Sequence, residues 1–132
     1  MKSLLVITLL FLSFSSFAQE VYTFDCASDH GYIAVRVEAG KFDSQLKQVQ
    51  GEMEIHSDNG SEEYRNAFFS NRSLNHSTGD FKFSVGLGRS GSASMSGNFI
   101  EQSGNFSVRT RKNNISANDA VCRFDNGLEM ND

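Results

Sequence analysis

Residues 80–111 alternate apolar and polar side chains with a regularity that reads as three half-buried antiparallel strands. Phe81, Phe83, Val85 and Leu87 alternate with Lys82, Ser84, Gly86 and Gly88. Ala93, Met95, Gly97 and Phe99 alternate with Ser92, Ser94, Ser96 and Asn98. Phe106, Val108 and Thr110 alternate with Ser107, Arg109 and Arg111. This is the two-residue period of a strand with one face in a core. A three-residue link, Arg89-Ser90-Gly91, with Gly91 in the left-handed position of a bulge, predicts Leu87 opposite Ala93, Val85 opposite Met95, Phe83 opposite Gly97 and Phe81 opposite Phe99. A second link centred on Gln102-Ser103 predicts Phe99 opposite Phe106 and Gly97 opposite Val108, with Phe81, Phe99 and Phe106 forming one layer of the core. Both registers gather the apolar side chains on one face, and a slip of one residue would turn a strand inside out.

The rest of the chain repeats the pattern in shorter pieces. Residues 21–26, 32–38, 48–56, 64–69 and 120–124 each read as a strand. Residues 42–48 fit a short strand, a loop or one helical turn. Asp58-Asn59-Gly60-Ser61 predicts a two-residue type I′ hairpin, which sets Ile55 opposite Tyr64, Gly51 opposite Phe68 and Glu54 opposite Arg65. Phe68-Phe69 breaks the alternation and predicts a bulge or a change of sheet there. Residues 27–31, 71–79 and 112–119 read as polar links. No apolar segment keeps a helical period beyond two turns. The fold class is therefore all-β: one small antiparallel meander of about eight strands, closed into a barrel or folded into a sandwich.

Residues 1–18 read as a cleaved signal peptide. Lys2 precedes the apolar run 4–14, and Ser16-Phe17-Ala18 supplies small residues before the cut. Residues 19–132 form a single domain, with 125–132 expected as a frayed tail. Loss of Lys2 leaves 11 basic residues against 16 acidic, a formal charge of 11 − 16 = −5. That balance argues against nucleic acid and against anionic membrane surfaces. After cleavage no segment is apolar enough to cross a bilayer. Cys26 and Cys122 are the two cysteines. In an exported chain they predict a disulfide that ties the first strand to the last. The localisation expected is exported, periplasmic or extracellular.

Chemistry-bearing motifs are few. His30, His56 and His76 lack metal-ligand spacing, and Gly88-Arg89-Ser90-Gly91 is no nucleophile elbow. Residues 58–63 cluster oxygen ligands without calcium-loop spacing. Asn-x-Ser occurs at Asn59, Asn71, Asn75, Asn105 and Asn114. No catalytic residue, metal or cofactor is expected. The outward side of the central strands is the candidate partner-binding face: Lys82, Ser94, Ser96, Ser107, Arg109 and Arg111. It is polar, rich in small hydroxyls, edged by positive charge and without an aromatic.

Tyr22 and Cys26 in the first strand and Cys122-Arg123 in the last resemble the early Tyr-x-x-x-Cys and late Cys-x-Arg elements of bacterial inhibitors of c-type lysozyme. These matches cover about a tenth of the chain, and the inhibitors' central loop signature is missing. The expectation is a non-enzymatic binding module acting through loops or an outer sheet face on a protein or cell-envelope partner, with inhibition of a cationic hydrolase such as lysozyme as one form. The alternative is a lipocalin-like carrier holding a small apolar ligand inside the barrel.

Overall fold

A computed structural model describes residues 18–130. The expected leader falls almost entirely outside the described residues. The chain forms eight antiparallel strands in sequence order: β1 (Ala18–Ser28), β2 (Gly31–Glu38), β3 (Val49–Ser57), β4 (Gly60–Leu74), β5 (Asp80–Gly86), β6 (Gly91–Asn98), β7 (Ser103–Thr110) and β8 (Asn114–Met130). They close into one barrel as β8 pairs with β1. One helical turn, α1 (Ala39–Phe42), follows β2. Cys26 and Cys122 face each other across the closing seam and are disulfide-bonded.

The inward sets are those the alternation assigns: Tyr22, Phe24 and Cys26 on β1, Ile33, Val35 and Val37 on β2, Phe81, Phe83 and Val85 on β5, and Phe106 and Val108 on β7 are all buried. The registers differ from those expected, always by an even number of residues where a whole hairpin moves. On β5–β6, Phe81 faces Gly97, Phe83 faces Met95 and Val85 faces Ala93. On β6–β7, Met95 faces Phe106 and Gly97 faces Gly104. The reason is where the links sit. The Leu87 N–H donates to the Gly91 carbonyl oxygen and closes a 3₁₀ turn, Gly88-Arg89-Ser90, which lies ahead of the expected Arg89-Ser90-Gly91. The next link is residues 99–102, ahead of the centre expected at Gln102-Ser103, with Gln102 at φ +56°. Phe99 thus leaves the core layer and stacks on Phe124 at 4.9 Å.

Bulges account for the remaining departures. On β3–β4, Ile55 faces Glu62, Met53 faces Tyr64 and Gly51 faces Ala67, so Arg65 and Asn66 together oppose Glu52. The irregularity thus falls before Phe68-Phe69, leaving Phe69 inward and Phe68 outward. Glu54 faces Glu63 in place of Arg65. Neither Asp58 nor Asn59 takes a positive φ, while Gly60 does at +118°, so the hairpin is not type I′. A second bulge at Asn71 (φ +52°) and Arg72 carries β4 on to Leu74. A third, at Asn118 and Asp119 opposite Asn105, lets β8 start at Asn114 where a loop was expected. Residues 125–130 pair with β1 and are strand, in place of the frayed tail.

The interior is filled by rings. Phe24 lies 4.9 Å from Phe124, 5.0 Å from Phe83, 5.2 Å from Phe81 and 5.4 Å from Phe42. Phe69 stands 5.4 Å from Phe83 and lies over Gly51. Each such pair contributes about 0.5–1.5 kcal/mol beyond its buried area.

Candidate functional site

Two ends and one outer face carry the polar chemistry. At the end where β1 begins and β8 finishes, Arg72 projects from the β4 bulge into the link 43–48. Its five N–H groups donate to carbonyl oxygens of Phe42 (2.9 Å), Ser44 (3.2 Å), Leu46 (2.8 Å), Lys47 (3.3 Å) and Phe69 (3.0 Å). A guanidinium has five donors, and all are used. The hollow between this link and residues 70–74, about 990 Å³, is built around that clamp. Arg72→Ala is expected to free the link, lower stability by about 2 kcal/mol and speed tryptic cleavage at Lys47. Arg72→Lys, with three donors on a point charge, should recover little. Unchanged proteolysis would show that the link holds itself.

Beside this clamp, the buried Tyr22 hydroxyl donates to Asp43 Oδ2 at 2.7 Å, with His76 Nε2 at 3.5 Å. Burial and the Asp43 carboxylate push the Tyr22 phenol well above its ordinary value.

The opposite end is closed by Glu62, an inward carboxylate in step with Tyr64 and facing Ile55, which lies ahead of the strand expected at residues 64–69. Its oxygens accept from Thr110 Oγ1 (2.6 Å), Asn113 Nδ2 (2.6 Å) and the Tyr64 hydroxyl. Asn113, 1% exposed, accepts in turn from Ser57. The network joins β4 to the β7–β8 link across the barrel mouth. Burial pushes the Glu62 carboxyl up, but its three hydrogen-bond donors and the Lys112 charge outweigh it and hold it below its ordinary value. Burial and the bond to Glu62 push the Tyr64 phenol up to about 12. Because the folded carboxyl is the stronger acid, its contribution is present above the unfolded carboxylate range and is lost as pH falls through the lowered folded value. Denaturant midpoints compared at neutral pH and about pH 3 should show a smaller acid loss in Glu62→Gln than in the wild type. An equal loss would remove Glu62 from the account.

The outer face of β4–β8 is laid out in transverse rows. One row runs Ser70, Ser84, Ser94, Ser107, Ser116 across five neighbouring strands. On one side of it lie Phe68, Gly86, Ser92, Arg109 and Asn114, and on the other Ser73, Lys82, Ser96 and Asn105. The structure thus brings Lys82, Ser94, Ser96, Ser107 and Arg109 onto one surface, while Arg111 stands past the end of β7 in the link to β8. One expectation is corrected. The face does carry an aromatic, Phe68, which is 39% exposed. A Cβ on its neighbour Gly86 would touch only the Phe68 carbonyl oxygen, at 3.9 Å, and Ser84, Ser92, Ser94, Ser107 and Arg109 line a shallow hollow of about 310 Å³.

Of the residues that carry the likeness to lysozyme inhibitors, each has a structural duty: Tyr22 bonds Asp43, Cys26 and Cys122 form the disulfide, and Arg123 pairs with Asp25 at 3.2 Å. No family model, curated protein or solved structure matches the chain. No group of three or more His, Cys, Asp or Glu that could hold a metal ion occurs among the described residues. No helix among them is long and apolar enough to cross a membrane.

Proposed function

We propose that this chain is an exported, non-enzymatic binding module that acts through its outer surface on a protein or cell-envelope partner. The observation that carries the reading is the filled interior: Phe24, Phe42, Phe69, Phe81 and Phe83 are all buried against one another. That is the space in which a lipocalin-like carrier holds its ligand. Hollows open instead on the outside, between the link 43–48 and residues 70–74, and among outward residues of β1–β4 such as Arg36, Gln50 and Glu52. Export is supported by the disulfide and by the leader-like residues 1–18. A cut after Ala18 leaves β1 whole from Gln19.

The test is to purify the oxidised chain from a secreting host, unfold it in organic solvent and assay the extract by mass spectrometry, while immobilised chain is offered envelope extract and c-type lysozyme. The reading expects no stoichiometric small molecule and a saturable partner that competes with soluble chain. A stoichiometric apolar ligand would overturn it in favour of a carrier. Stoichiometric loss of lysozyme activity would make the partner a cationic hydrolase.

A further inference from the structure

The barrel's outside is divided. On β1–β3 and their neighbours, polar side chains satisfy one another: Arg36 pairs with Glu52 at 3.4 Å, Gln50 donates to Asn66 at 2.6 Å, His56 meets Glu54 at 3.3 Å, and Arg123 meets Asp25 at 3.2 Å. On β4–β8 few do: Ser96 donates to Asn105 at 2.8 Å, but among the described residues the serine row and the cations Lys82 and Arg109 are unpaired. None of the side chains of Ser70, Ser84, Ser94, Ser107 and Ser116 makes a hydrogen bond to another described residue, and neither Lys82 nor Arg109 makes a hydrogen bond or ion pair. The hydroxyls lie one per strand, so at an inter-strand spacing of about 4.8 Å the row spans about 19 Å. Each both donates and accepts.

Charge divides the same way. The chain is acidic, yet the two rows containing Phe68 to Asn114 and Ser70 to Ser116 hold no carboxylate and carry Arg109, with Lys82 in the row beside them. Two acids border the face. Asp80, at the start of β5, is held by Asn98 and Thr78, and Asp119 sits in the β8 bulge opposite Asn105, at the end of the row that holds Lys82.

We propose that this face binds an acidic polysaccharide, a sugar chain bearing carboxylate or sulfate groups, laid across the strands along the serine row. The inference rests on the binding-module reading above and names the chemistry of its partner. Neutral hydroxyls that can donate or accept suit the hydroxyls of a sugar. A protein edge would be met better by backbone groups, which here are used up in the barrel ladder. Arg109 offers a planar fork to a carboxylate or sulfate, and Lys82 adds a second cation. Phe68, exposed beside Gly86, supplies an apolar plate for a sugar ring.

The experiment is calorimetric titration of the mature oxidised chain with polygalacturonate, heparin, neutral dextran and polyglutamate. Saturable binding to at least one acidic glycan is expected, with polygalacturonate and heparin separating carboxylate from sulfate, and with at least tenfold weaker binding to dextran and polyglutamate. Arg109→Ala combined with Lys82→Ala should weaken the acidic glycan at least tenfold. Ser94→Ala combined with Ser107→Ala should narrow the preference for glycan over polyglutamate. All four positions are outward, and unchanged unfolding midpoints would verify that the variants fold. Binding to neither acidic glycan, equal binding of polyglutamate, or indifference to both double variants would overturn the inference. A chain that captures a protein partner but no glycan overturns this inference alone. A chain that yields a stoichiometric apolar ligand from its interior overturns both readings.

Discussion

Gly97→Val is expected to destabilise the barrel by about 3 kcal/mol or more, at or beyond the upper end of overpacking costs. Gly97 faces Gly104 across β6 and β7, and neither has a side chain to hold the backbones apart. A Cβ on Gly97 would lie 2.7 Å from the Gly104 Cα and closer still to the Ser103 carbonyl oxygen. These are backbone atoms fixed by the ladder, so no rotamer change relieves the clash. A Cβ on Gly104 would meet Gly97 Cα at 2.9 Å and Cys122 Sγ at 2.8 Å. The glycine pair therefore vacates the space beside the disulfide. Gly104→Ala should be costly for the same reason, whereas Gly40→Ala, where nothing lies within 4 Å, should be nearly neutral. Chemical unfolding of the three variants checks this. A Gly97→Val midpoint equal to the wild type would mean that β6 and β7 do not approach as described.

Removing the disulfide is expected to have the largest effect. Cys26 and Cys122 are 96 residues apart, and in the chain-entropy model a cross-link closing about 100 residues contributes about 4.7 kcal/mol, often less when measured. Against a typical net stability of about 5–15 kcal/mol, that is a large share. The bridge lies on the β1–β8 seam, where the barrel closes. Cys26→Ala combined with Cys122→Ala avoids burying a hydroxyl at two fully buried positions. The double variant, and the wild type under reductant, should both unfold at markedly lower denaturant. A midpoint insensitive to reductant would mean that the seam is held by its ladder and apolar contacts alone.

Most of the inward side chains were legible from the alternation, and so were the meander and the disulfide, whereas the alternation left barrel and sandwich open and set Phe68 inward. Which residues face each other was not legible. Moving a hairpin by two or four residues keeps every side chain on its face, so the apolar pattern cannot separate Phe83 opposite Gly97 from Phe81 opposite Gly97. The position of the link decides it, and the turn is Gly88-Arg89-Ser90, closed by Leu87 and Gly91, where Arg89-Ser90-Gly91 was expected. Bulges hid more. Ile115 and Ala117 are in step with each other but out of step with Ala120 and Cys122, because Asn118 and Asp119 share one place in the ladder. The first half of β8 therefore read as a loop.

The candidate face was legible in outline. Lys82, Ser94, Ser96, Ser107 and Arg109 share it because parity alone puts them there. The alignment of five serines into one row depends on the registers, and Phe68 joins the face only because the bulge at Arg65 and Asn66 turns it outward. Arg72 carried no sequence signal. Its role comes from the fold bringing five carbonyls to one guanidinium.

The central claim is that the barrel is solid, so that function belongs to its outer surface. Crystals of the oxidised mature chain under xenon pressure test it directly, since dry apolar cavities take up xenon. The account predicts no xenon site among Phe24, Phe69, Phe83 and Met95. An ordered xenon atom there would reveal an apolar cavity inside the barrel and return the interior to consideration as a ligand site.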